Sequence, residues 1–180
     1  MSELPGSVTN LLKSTRFIHL ATCKDNVPHV SLMNYTYYHG SEGDYIIIST
    51  PKKTTKYENI VANPIVSLLV HDWISAKDNN SGEDKSGAPN ERRNSLFEML
   101  ANINKNELGR VSVMITGTST ILDKEKDATS FEFYKSLHLN NSKIDQVQSK
   151  NYIECDGNAL IAIKFDSVKV TDTDNNIELY

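Results

Sequence analysis

Apolar and polar positions change their period several times along this chain, and each change marks an element. Residues 45–49, Tyr-Ile-Ile-Ile-Ser, form an unbroken β-branched run that predicts a strand buried on both faces. Pro51 stops the ladder because it has no N–H to donate. From Thr54 the period lengthens, and Tyr57, Ile60 and Val61 fall on one stripe of a short helix. Asn63-Pro64 ends it, since a residue before proline is pushed out of the α region. Residues 65–70 then predict a second buried strand.

The flanking segments extend this pattern. Residues 7–13 predict a first helix with Val8, Leu11 and Leu12 on one face and Ser7 or Thr9 as cap. Residues 16–22 predict a strand, Lys24-Asp25-Asn26 a turn, and residues 29–38 a second, longer strand. On that strand Val30, Leu32 and Asn34 share one face, while Met33, Tyr35 and Tyr37 share the other. Residues 111–122 alternate strictly and predict a half-buried strand. Asp123 can cap a helix carrying Phe131, Tyr134 and Leu137. Residues 159–165 predict a buried strand, 168–171 its continuation after a bend, and 173–176 a turn before 177–180. The fold class expected is mainly β with α: a meander closing into a six- to seven-stranded split β-barrel flanked by short helices.

One segment breaks the pattern. Residues 75–94 contain no aromatic and no large aliphatic residue, so they cannot bury enough apolar surface to offset their ordering entropy. They read as a mobile loop insertion within a single domain spanning residues 1–180, because Ser95, Glu98 and an apolar stripe from Leu96 to Ile103 predict a capped helix beyond them. Composition adds exclusions. Hydrophobic residues are 38%, charged residues 23% and the net charge is −4, which favours neither nucleic acid nor an anionic membrane as partner. No apolar run approaches the roughly 18 residues of a membrane helix, and the first residues lack signal-peptide character. Cys23 and Cys155 follow no metal or redox spacing, so a cytoplasmic, and also nuclear, location is the default expectation.

Candidate chemistry concentrates where the central strand turns into its helix. Residues 50–56 hold three lysines and three threonines. A helix N-terminus carries about half a positive charge, so each lysine there is unfavourable by about 0.3–1 kcal/mol. An anion among Lys52, Lys53 and Lys56, held also by backbone N–H groups and the hydroxyls of Thr54 and Thr55, reverses that sign. A solvated lysine turn is the other reading of the same residues. The five histidines lack zinc spacing, so no metal site is expected. His71-Asp72 fits a strand-end polar pair, and there is no Walker loop, dinucleotide fingerprint or nucleophile elbow.

The order of signals is more specific than any one of them. Phe17 to Thr22 (Phe-Ile-His-Leu-Ala-Thr), Val27 to Tyr35 (Val-Pro-His-Val-Ser-Leu-Met-Asn-Tyr), Ile46 to Thr50 and the Thr-Thr-Lys-x-x-Asn-Ile-x-x-Asn-Pro run from Thr54 to Pro64 resemble the FMN-binding split barrel of the pyridoxamine 5′-phosphate oxidase family, in particular its compact fungal members. The resemblance implies an FMN groove at a homodimer interface, with Ser31, Leu32, Met33 and Asn34 along the cofactor and Ser49 and Thr50 at the ring or ribityl chain. It implies Lys53, Thr54, Thr55 and Lys56 at the phosphate, Ser112 reaching the flavin, and a Gln148-Ser149 pair from the partner subunit. It names no catalytic residue. The oxidase carries arginine where this chain has Ser31 and Thr55, and it anchors substrate with a C-terminal tryptophan and arginine motif. Here no tryptophan follows Trp73 and no arginine follows Arg110. The expected function is FMN-dependent oxidoreductase chemistry without that anchor. The alternatives are a non-catalytic flavin carrier or sensor, a haem-binding barrel using His19, His29 or His71, and a ligand-free interaction module.

Overall fold

The structure, a computed structural model, describes residues 3–72, 111–141 and 157–180. The order is α1 (Gly6–Ser14), β1 (Phe17–Lys24), β2 (Val27–Asn34), β3 (Thr36–Gly40), β4 (Gly43–Pro51), α2 (Thr55–Ala62), β5 (Ile65–His71), β6 (Val111–Leu122), α3 (Ala128–Asn141), β7 (Asn158–Asp172) and β8 (Ile177–Leu179). All pairings are antiparallel, in the order β2-β1-β5-β6-β7-β4-β3, with β8 beside the second half of β7.

The mainly β class is the one expected, with two differences. The sheet has eight strands and does not close, because the segment 29–38 is two strands and not one. Tyr35 divides them. Its buried hydroxyl donates to the Leu12 carbonyl at 2.9 Å and meets the Thr15 hydroxyl at 2.6 Å, which ties the chain to α1 at that point. β2 and β3, adjacent in sequence, therefore lie at opposite ends of the sheet.

The long β6–β7 ladder holds the two ends together. β5 pairs with β6 from Ile65↔Thr118 to His71↔Ser112, and β4 pairs with the first half of β7 from Pro51↔Asn158 to Tyr45↔Lys164. Within the ladder Thr116 faces Ser167 and Gly117 faces Phe165, so Asp166 is an extra residue. Such a bulge bends the strand and sharpens its twist. It accounts for the predicted bend near residues 166–167, which leaves β7 continuous. A Cβ at Gly117 would stand 2.6 Å from the Lys164 carbonyl oxygen and 2.8 Å from Ile163 Cγ2.

The curled sheet buries one core on its inner side, where Ile18, Leu20, Ile46, Ile48, Leu68, Ile115, Ile161 and Ile163 meet α1 through Val8 and Leu12 and α2 through Ile60. A smaller core lies outside, where Phe131 and Tyr134 of α3 cover Ile47, Leu160 and Ala162. This double burial is why residues 46–50 are all buried, as their unbroken apolar run predicts. β5 differs from the expectation: Val66, Leu68 and Val70 are buried, Ile65 and Leu69 are exposed, and among the described residues no helix covers its outer face. The cap expectations also need correction. Pro5 precedes α1 with no side-chain cap, and Asp127, not Asp123, receives the N–H of Ser130 at the start of α3. Asp123 instead closes the preceding turn by accepting the Glu125 N–H. The expected insertion at 75–94, the helix near 95–108 and the Gln148-Ser149 pair lie outside the described residues.

α3 is anchored by a group that the hydropathy pattern conceals. His138 is buried, its Nδ1 2.9 Å from the Thr36 hydroxyl, and burial lowers its pKa from 6.5 to about 4. Between those values the unfolded chain holds the extra proton, so acid favours unfolding. The stabilisation is complete above pH 6.5 and is lost as pH falls towards 4, by about 3 kcal/mol in all. Urea unfolding of the wild type and His138→Asn at pH 7 and pH 4.5 should show the variant losing much of this dependence. Gly117→Ala should destabilise by about 1–3 kcal/mol, because its new methyl meets backbone that cannot step aside. Equal urea midpoints for the variant and the wild type would remove the close-approach argument.

Candidate functional site

The start of α2 is built as the lysine-threonine pattern requires. Thr54 is the extended residue before the helix, yet its side chain does not cap it. Its hydroxyl donates to the Pro51 carbonyl at 2.9 Å and lies 3.3 Å from the Thr50 hydroxyl. With the Thr54 proton committed, Thr50 is the donor between them. The first-turn N–H groups of α2 thus have no side-chain acceptor from Thr54, and Lys53, Thr55 and Lys56 surround them. The arrangement favours an anion through oriented N–H dipoles and lysine charge.

The seat of α2 is fixed by polar contacts. Buried Asn59 donates to the buried Thr22 hydroxyl of β1 at 3.0 Å, and Asn63 donates to the Cys23 carbonyl at 3.3 Å. Ser119 donates both its backbone N–H and its hydroxyl to the Pro64 carbonyl, which pins the exit from α2. Asn59 stands in the Thr54–Pro64 run that carries the family resemblance, but the sequence reading gave it no role. Its place beside Ile60 on the inward side of a short helix is the signal that could have found it.

β2 is an edge strand of the described sheet, so one side of its backbone has no strand partner among the described residues. Its side chains alternate. Ser31 and Met33 stand opposite Leu20 and Ile18 and face inward, whereas Leu32 and Asn34 stand opposite His19 and Phe17 and face outward. Met33 is part of the core, which leaves its backbone as the portion a ligand can meet. Ser31 Oγ is buried with no partner among the described residues, and so is His29 Nδ1.

The remaining predicted positions divide between the two faces. Thr50, opposite Ala159, belongs to the inner side; Ser49, opposite Leu160, faces the α3 layer and is not brought to Thr54. Ser112 lies on the outer face opposite His71. There the register aligns Leu32, His19, Leu69 and Met114 across four strands, and Leu32 and Val30 are 58% and 63% exposed. The His19 and His71 rings stack nearby, with centroids 6.0 Å apart. The sequence-predicted residues therefore divide between an inner group on the side of α2, an outer group of Leu32, Asn34 and Ser112 on the half of the sheet that no described helix covers, and Ser49 on the side of α3.

Other polar clusters are already committed. Asp44 is the partner of both Tyr37 and His39, and burial followed by the Asp44 carboxylate holds the Tyr37 phenol protonated. Among the described residues no group of three or more His, Cys, Asp or Glu side chains could hold a metal, and no helix is long and apolar enough to cross a membrane. Among the described residues, the first-turn N–H groups that Thr54 does not cap, the lysines beside them and the unmatched Ser31 oxygen are groups of the kind a phosphate takes.

Comparison with known proteins identifies the family and the fold. The family model described as pyridoxamine 5′-phosphate oxidase matches residues 4–170. A pyridoxamine 5′-phosphate oxidase homolog of Saccharomyces cerevisiae is 33% identical, over 97% of this chain and 93% of its own length. One of Schizosaccharomyces pombe is 34% identical, over 98% and 90%. Among solved structures, a haem-binding protein of Mycobacterium smegmatis superposes with a TM-score of 0.62 at 14% identity; the match covers 99% of this chain but only 59% of that one. A haem storage protein of Vibrio cholerae gives 0.58 at 13% identity, covering 91% of each chain. At such identities these two share the fold alone.

Proposed function

The chain belongs to the pyridoxamine 5′-phosphate oxidase family, and we propose that it binds FMN and serves as a flavin-dependent oxidoreductase acting on a small molecule. The observation that carries this reading is the start of α2, which Thr54 does not cap and where Lys53, Thr55 and Lys56 fall in sequence, with α2 packed on the strand whose Ser31 hydroxyl has no partner among the described residues. Lys56 and the first-turn N–H groups hold the phosphate; Thr50 and Thr54 fix the turn that presents them. When bound, the flavin supplies the redox chemistry. The protein contributes placement and exclusion of water, and no side chain is assigned as acid or base. A carrier or sensor would share this site, and turnover with a reductant separates the two.

A homodimer completes the site. Leu32, Leu69, Met114 and Val30 form an apolar face that no element of the described chain covers, and Asn34 and Ser112 lie on the same face. A second copy placed there removes that surface from water and encloses a planar ligand. Haem is the second reading, favoured by the fold-level likeness to haem-binding proteins. His19 and His71, whose rings lie with centroids 6.0 Å apart on the outer face, are the residues this reading would use.

FMN should bind much more tightly than riboflavin, and Lys56→Ala should weaken FMN by about tenfold to a hundredfold, the value of one charge-assisted hydrogen bond. Fluorescence titration giving equal affinity for FMN and riboflavin would place the phosphate elsewhere. Sedimentation at micromolar concentration should show a dimer that Leu32→Asp converts to monomer; a monomeric wild type would contradict the interface. FMN-saturated protein should oxidise pyridoxamine or pyridoxine 5′-phosphate poorly. Lys164 and Lys169 are point charges that do not reproduce the bidentate grip of arginine. A kcat/KM above about 10⁴ M⁻¹s⁻¹ for formation of pyridoxal 5′-phosphate would refute this.

A further inference from the structure

Nδ1 of His29 and Oγ of Ser31 are the two buried side-chain polar atoms that lack a hydrogen-bond partner among the described residues. Buried polar groups in folded proteins are nearly always paired, so two orphans on one strand point to a shared missing partner. They are two residues apart on the inward side of β2, opposite Thr22 and Leu20 of β1. Strand geometry puts their Cα atoms about 6.6–6.8 Å apart, a spacing from which two side chains can reach different oxygens of one tetrahedral anion. Thr22 is also where Asn59 of α2 docks, and α2 packs against both β1 and β2. The orphan pair therefore lies beneath the helix whose first turn is uncapped.

We propose that His29 is a further ligand of the bound phosphomonoester: its Nδ1–H and the Ser31 hydroxyl both donate to phosphate oxygens, and protonation of the ring adds a cation to the charge of Lys56. This rests on the reading that the α2 site holds the FMN phosphate. The ionisable groups on the elements packed around β2 are His19, Cys23 and Lys24 on β1, Lys56, Tyr57 and Glu58 on α2, and Tyr45 and Asp44 on β4, the last engaged by Tyr37 and His39. Among the described residues none of them pairs with the buried Nδ1 of His29. The anion is thus its partner, and FMN affinity follows the protonation of this ring.

The test uses the full chain, with FMN as probe and riboflavin as control. NMR of the His29 ring should show its Nδ1 resonance moving when FMN binds and not when riboflavin binds, and FMN should bind about tenfold more tightly when the ring is charged than when it is neutral. The phosphate of FMN itself titrates near pH 6, so the comparison is with His29→Gln, which keeps a donor but cannot become charged. That variant should lose the tenfold difference attributable to the ring and leave riboflavin binding unchanged. An unchanged His29 Nδ1 resonance on adding FMN, or identical pH profiles of FMN binding for wild type and His29→Gln, overturns the proposal. If Lys56→Ala weakens FMN while His29 is silent, the phosphate site stands and this assignment alone falls. If neither residue matters, or FMN does not bind, both fall.

Discussion

The continuous β6–β7 ladder is the constraint on which the rest depends. One half of it receives β5, the other half receives β4, and its bulge at Asp166 turns one half against the other. Because the bend is made by an extra residue facing Gly117, the strands curl without breaking, and the inner core fills the concave side. The chain between β2 and β3 is then stretched between the two ends of the sheet, with Tyr35 anchored to α1. A barrel that stays open in this way leaves β2 as an edge, with its outward side chains on an uncovered surface.

Both parts of the proposed site arise from that opening. An interior strand would have both sides of its backbone satisfied, whereas β2 keeps one side free, as a ligand-binding edge requires. The α2 helix reaches β1 and β2 because it directly follows β4, and the Asn59–Thr22 contact fixes it there. α3 covers the outer face over β4 and β7, and no other described element covers the half that carries Leu32, Leu69 and Met114. Fold and site are thus one problem: the surface left uncovered by a single chain is where the flavin and the second copy are proposed to meet.

Much of this was legible in the sequence. Residues 111–122 alternate so regularly that the strand matched its predicted ends, and the β-branched run at 45–49 announced its double burial. The lysine-threonine turn and Asn63-Pro64 marked the start and end of α2. What could not be read was long-range. Nothing local distinguishes Tyr35 from a residue in mid-strand, because its role depends on carbonyl and hydroxyl partners in α1. His138 looked like one more polar residue on a weakly amphipathic helix, and its partner, Thr36, is far away in sequence. Leu32 and Ser31, neighbours in the family motif, point to opposite faces of β2, so a linear list of contacts mixed two surfaces.

The central claim is that a flavin phosphate occupies the α2 site. Denaturing the freshly purified protein and identifying the released small molecule by absorption and mass tests it most directly. The account predicts FMN, released in near-stoichiometric amount or taken up to that level on addition. Haem in that position, or a protein that neither carries nor takes up FMN, would contradict it.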